Sequence, residues 1–253
     1  MNASASRVRR MISAGWASMR AGNSLSALGE FRSALAAAPE NVDALVGLCQ
    51  SYLDAGELKQ AGQQSDELLR LAPELASAHR LKAEVHRRRR NRSEALEYAR
   101  RAVQLEPEEP VGYHILALIH YDRKDYRAAL KMVEWGRAIA PGCAILAAQQ
   151  ALILLQMKGG KAAEPAAKQA LQLDMDDDYV LAGVARVALA RGQLDRARDL
   201  LSTVLRHNAN DEDAISLYLL SDPGRYGLLR SQFQFPSWRK ENGALGWLAW
   251  FGV

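Results

Sequence analysis

An all-α solenoid of stacked helix–turn–helix repeats is the fold class this sequence predicts, on three observations. Proline recurs at Pro39, Pro73, Pro107 and Pro141, each 34 residues after the last, and a fixed period in this range marks a stacked repeat protein. Each proline follows an Ala/Leu-rich run that reads as helix, namely ALAAAP, LLRLAP, AVQLEP and GRAIAP. No run reads as a β-strand. Two further steps of 34 reach Met175 and Ala209, where the pattern continues without the proline.

Six repeats therefore start at Val8, Val42, Ala76, Pro110, Ala144 and Asp178. Position 20 is then Ala27, Ala61, Ala95, Ala129, Ala163 and Ala197, alanine in every repeat. A site that is always alanine is one where two helices approach too closely for a larger side chain. Position 27 is small for a similar reason in most repeats (Ala34, Leu68, Ala102, Gly136, Ala170, Val204), and position 24 is largely apolar. Gly22, Gly56 and Gly192 share position 15, a helix C-terminus where left-handed geometry is needed. Each repeat thus reads helix, tight turn, helix, and a proline-marked turn into the next.

These residues resemble the tetratricopeptide repeat family, whose unit is a 34-residue helix–turn–helix. That family places small residues at positions 8, 20 and 27, a bulky one at 24 and proline at 32. Position 8 is Gly15, Cys49, Ala83, Ala117, Ala151 and Ala185, which fits. The tyrosine common at position 11 is Tyr52 in the second repeat only, and the aromatic expected at position 4 appears only as Tyr113. The resemblance implies a right-handed superhelix over residues 8–211 and a protein or peptide ligand in its concave groove. Residues 1–7 are expected to form an N-terminal extension, 212–221 a capping helix and 222–253 an aromatic-rich tail.

The chain of 253 residues is expected to be elongated, each repeat burying its face on its neighbours. The net charge is +4, with both signs spread along the helices, a statement about solubility rather than about nucleic acid. Cys49 and Cys143 lie nearly three repeats apart, too far to pair, which points to no disulfide framework. The N-terminal stretch has basic residues before a partly apolar run, but Arg20 interrupts it. Met11–Ala21 reads as the first helix and not as a signal peptide.

In the family, positions 2, 5, 9 and 12 of the first helix face the groove. Mapped here they give Arg80, Glu84 and Arg87 in the third repeat, and His114, Leu118 and Tyr121 in the fourth. They give Ile145, Leu152 and Leu155 in the fifth, and Arg186 in the sixth. A basic middle followed by an apolar stretch suits an extended peptide or amphipathic helix with acidic and aliphatic residues. The apolar stretch has a second reading, that the C-terminal segment packs on it. The Lys/Asn clamp with which some family members grip a C-terminal carboxylate is missing.

The run His86–Arg92 is the densest charge cluster and falls at the turn of the third repeat, with Arg90 in the glycine place. It reads as a solvated basic turn, or as a site for phosphate, acidic headgroups or an acidic peptide. It lacks the aromatics of a single-strand platform, so nucleic acid is not expected as a partner. Asp174, Asp176, Asp177 and Asp178 lack the glycine and glutamate of a calcium loop and read as helix caps. The five histidines have no third ligand at metal spacing. No nucleophile elbow, P-loop, dinucleotide or zinc-protease motif occurs, so neither an enzyme nor a cofactor is expected.

Glu212–Ser221 reads as a further amphipathic helix covering the last repeat. Asp222-Pro223-Gly224 breaks the pattern, and the tail beyond carries Trp238, Arg239, Lys240, Trp247 and Trp250. Either this tail folds back on the last repeats, or its aromatic and basic residues meet a membrane interface. Its apolar run GALGWLAWFGV is shorter than the roughly 20 residues a span needs. The functional expectation is a non-enzymatic adaptor at a cytoplasmic location. A membrane-associated assembly or envelope-biogenesis factor is the alternative.

Overall fold

The repeat pattern places the start of the first helix in every repeat from the second to the sixth. The computed structural model describes residues 3–209 and 211–222, and among these it contains thirteen α-helices and no strand. They are α1 (Ala3–Arg20), α2 (Ser24–Ala37), α3 (Val42–Asp54), α4 (Leu58–Leu71), α5 (Ala76–Arg88), α6 (Arg92–Leu105) and α7 (Pro110–Asp122). There follow α8 (Tyr126–Ile139), α9 (Ala144–Lys158), α10 (Gly160–Leu173), α11 (Asp178–Ala190), α12 (Leu194–His207) and α13 (Glu212–Leu220). The first helices of successive repeats start at the predicted Val42, Ala76, Pro110, Ala144 and Asp178, and α13 starts one period later at Glu212. The first repeat differs, because α1 begins at Ala3, ahead of Val8.

Short polar side chains start several of these helices. Asn23, Asn41, Asp125, Asp177 and Asp211 each accept a hydrogen bond from the backbone N–H three residues on, satisfying one of the orphan donors of a helix N-terminus. Asp174 performs a related task, accepting from the N–H groups of Asp176 and Asp177 at 2.9 and 3.1 Å. The aspartate run is therefore a capping device. The turns between paired helices place Gly22, Gly56 and Gly192 at φ near +70°, the left-handed region that suits glycine.

The chain divides into two compact units, residues 1–119 and 120–253. In the first, Phe31 is the centre of packing and fully buried. Its ring lies so close to α1 that a Cβ on Gly15 would come within 2.7 Å of it, and a Cβ on Gly47 of α3 would collide with it. Trp16 meets it edge-on at 5.3 Å, and Leu45, Leu48, Leu53 and Leu68 close the core around it.

In the second unit, α9, α10 and α11 share a core built on Ala147, Ala151, Ala163, Ala167, Val180 and Val184. The alanines at position 20 are all fully buried, as the close approach of paired helices requires.

Candidate functional site

The first helices of the repeats carry the predicted site residues, and half of these fall in each compact unit. In the first unit, α5 places Arg80, Glu84 and Arg87 along one face. Arg80 Nη1 donates to Glu106 Oε2 at 2.8 Å. Glu84 accepts from Arg87 through both oxygens, at 2.7 and 2.8 Å, and from Arg88 Nε at 2.6 Å. Burial opposes ionisation of Glu84, yet the two arginines outweigh it and hold its carboxyl below the usual carboxylate range. The cationic character expected of Arg80 and Arg87 is therefore largely met by Glu106 and Glu84. On α7, His114 and Leu118 are half-buried.

The basic turn following α5 is also engaged. Arg88 Nη1 donates to Leu53 O at 2.5 Å and Arg89 Nη2 to Leu58 O at 2.6 Å. These bonds tie the turn to the preceding repeat and satisfy a helix-end carbonyl. His86 stacks on Tyr98 at 5.4 Å, and His79 Nε2 lies 2.7 Å from Pro73 O. Among the described residues no group of His, Cys, Asp or Glu is arranged to hold a metal ion. Cys49 and Cys143 are both free thiols.

In the second unit, Tyr121 is half-buried and meets the Tyr126 ring edge-on at 5.4 Å. Burial, helped by the neighbouring Tyr126, pushes its hydroxyl up to about 12, so it stays protonated as a donor. Ile145 on α9 is half-buried. Leu152 and Leu155 differ from the expectation of an open apolar stretch, being only 7% and 5% exposed. The reason is the neighbouring helix: a Cβ on Gly183 of α11 would sit 3.5 Å from Ala148 Cβ and 3.8 Å from Leu152. The small residues let α9 and α11 close on each other and cover the leucines, which serve the core.

Arg186 on α11 has the longest ion pair of the three predicted arginines. Its side chain is 21% exposed and meets Asp213 Oδ2 only at 3.3 Å. Its Nε is buried and has no hydrogen-bond partner among the described residues. Sequence reasoning missed a second polar centre, Glu164 on α10, which ties three helices together. Its oxygens meet Arg191 at 2.6 Å and Arg196 at 3.1 Å. Burial opposes ionisation, but both arginines hold its carboxyl below the ordinary range.

Trp238, Arg239, Lys240, Trp247 and Trp250, with the tail reading they carried, lie outside the described residues. Among the described residues no helix is long and apolar enough to cross a membrane.

Comparison with known proteins bears on the repeat. Residues 18–85 and 154–219 match the family described as tetratricopeptide repeat. No curated protein matches the chain. A tetratricopeptide repeat protein from Parabacteroides merdae superposes with a TM-score of 0.69 at 18% identity, over 85% of this chain and 84% of that one. The APC/C hetero-tetramer Cut9-Hcn1 gives 0.66 at 19% identity, over 85% of this chain and 43% of that chain, so this chain spans less than half its length. PilF of Pseudomonas aeruginosa gives 0.57 at 18%, over 86% and 99%. Such likenesses are of fold, an all-α repeat solenoid.

Proposed function

Since this chain belongs to the tetratricopeptide repeat family, we propose that it is a non-enzymatic scaffold that holds a protein segment against the first helices of its repeats. The family fold supports a protein-interaction scaffold in general. The observation that carries the finer reading is Arg186: a buried Nε donor without an acceptor among the described residues, on a side chain held only by a 3.3 Å contact to Asp213. A guanidinium presents its donors in a planar fork that matches a carboxylate. The ligand we infer is an acidic segment whose carboxylate meets the exposed part of the Arg186 guanidinium. Tyr121, protonated throughout the physiological range, supplies a second donor within the same unit, and Ile145 an apolar contact. In the first unit, Arg80, Glu84 and Arg87 form a self-paired polar face with Glu106, which reads charge pattern more than it adds net attraction.

The test is affinity capture followed by calorimetry on the captured segment, with wild type and Arg186→Glu compared. The variant is expected to weaken binding at least tenfold, equivalent to about 1.4 kcal/mol, with the circular dichroism of both proteins unchanged. Equal affinity for both would remove the Arg186 site.

A further inference from the structure

α1 carries four cations with no anion of its own. Across its 18 residues it has Arg7, Arg9, Arg10 and Arg20 and no acidic residue. On α5 and α11 the arginines and the lysine are all paired: Arg80 with Glu106, Lys82 with Asp66, Arg87 and Arg88 with Glu84, and Arg186 with Asp213. None of the four arginines of α1 meets a carboxylate among the described residues.

The repeat register shows where these side chains stand. Val8 and Gly15 are buried, and Met11, Ile12, Trp16 and Met19 pack on the core of the first unit. Arg7, Arg9, Arg10, Ser13, Ala17 and Arg20 are exposed. At 3.6 residues per turn the four arginines fall within about 160° of the circumference, along about 20 Å of helix. In later repeats this side is covered. Position 3 is fully buried as Ala44, Ala78, Leu146 and Val180, and position 10 as Ser51, Val85 and Ile153. Ala44 shares a small core with Ala34 of the preceding repeat. In α1 these two places are Arg10 and Ala17, both exposed. The side on which a later repeat meets its predecessor is here an open cationic face.

We propose that this face docks the protein on an anionic lipid surface. A surface that serves solubility alone mixes both signs, and this one carries only positive charge. Between Arg10 and Arg20 the exposed residues are Ser13 and Ala17, so the face offers a peptide no large apolar anchor. Affinity must then come from charge summed over many fixed anions. Single ion pairs with a short acidic segment contribute little in water. A leaflet rich in acidic headgroups strengthens binding by about fivefold for each basic residue close to it, and clusters of about four or more on one amphipathic helix are recognised by such surfaces. The exposed face has no aromatic or amide side chain with which a nucleic acid would be stacked or read. It lies in the first unit and works independently of the Arg186 site in the second.

Co-sedimentation of the full chain with vesicles of equimolar phosphatidylcholine and phosphatidylserine tests this. Wild type is expected to sediment with these vesicles at low salt, to be released in high salt, and to leave pure phosphatidylcholine vesicles alone. Arg10→Glu with Arg20→Glu should weaken binding about twentyfold or more, from two cations at about fivefold each. Arg123→Glu with Arg127→Glu, which changes two exposed arginines of the second unit, is the control for net charge and should bind like wild type. Circular dichroism of both variants should match wild type, since all four side chains are exposed. No binding by wild type, equal binding to neutral vesicles, or unchanged affinity of the Arg10→Glu, Arg20→Glu variant overturns the proposal. An equal loss in the control would reduce the effect to net charge and overturn it too. Tighter binding to a short DNA duplex, lost in the same α1 variant, would make the face a nucleic-acid site and overturn it as well.

Discussion

Arg90 carries a φ of +63° at the place where Gly22, Gly56 and Gly192 sit at +71°, +73° and +73°. A side chain in the left-handed region costs about 1–2 kcal/mol. Arg90→Gly is therefore expected to raise stability by about 1 kcal/mol, read as a higher midpoint in urea. Gly56→Ala should lower it by a similar amount, since its φ forbids a relaxed Cβ. Phe31 makes a different demand on glycine. Gly47→Ala forces a methyl into the Phe31 ring and should cost about 1–3 kcal/mol by overpacking. Gly29 is the control, because a methyl there would meet nothing within 4 Å. Gly29→Ala should stabilise by about 0.8 kcal/mol through helix propensity. Thiol chemistry is set residue by residue as well. Burial pushes Cys49 up to about 12 and its Sγ–H donates to Ala61 O, so it is inert as a nucleophile. A thiol reagent at pH 8 should label Cys143 in the native protein, and Cys49 only after denaturation.

At the scale of helices, Glu164 sets how α10 holds α11 and α12. Its carboxyl, like that of Glu84, is depressed because arginines outweigh the cost of burial. A depressed folded pKa contributes stability that is fully present above the unfolded value near ~4.3. That contribution is lost as pH falls through the folded pKa. The stabilisation from these two carboxylates should hold from pH 7 to about 5 and decline below about 4.3. Glu164→Gln should melt lower at pH 7 and decline less steeply in acid; an identical profile would deny the clamp its role. Except in the first repeat, the starts of the first helices were legible in the sequence because one 34-residue rule fixes them. The end of α9 was not: it runs to Lys158, fifteen residues against thirteen for α3, α5, α7 and α11. Lys158 takes position 15, and Gly159 supplies the turn one place later at φ +80°, ψ 178°. Nor was the burial of Leu152 legible, since it follows from Gly183 on another helix, and a repeat template maps positions without the neighbour's side chains. Arg186 was legible as a site position, but its orphan Nε was not, because that depends on where Asp213 falls.

In the whole molecule, repeat architecture makes stability local. Each repeat rests on nearest neighbours, so the effect of a core change should fade along the chain. Phe31 tests this well, because it is fully buried and packs on α1 and α3. Phe31→Ala should cost about 3–5 kcal/mol locally. Opening of α1, α2 and α3 would then accelerate in native-state amide exchange, since protection there reports sub-global unfolding. The cores around Val184 and Leu201 belong to the second compact unit and include none of the residues around Phe31. Sites without shared partners add independently, so exchange in α11 and α12 should stay within error of wild type. Equal acceleration in α2 and α12 would mean that the chain opens as one cooperative block, and the nearest-neighbour account of its stability would fail. Loss confined to α1–α3 would also mean that Arg186 and Tyr121 keep their geometry in the variant, so binding of the acidic segment should survive a change that unfolds the other end more readily.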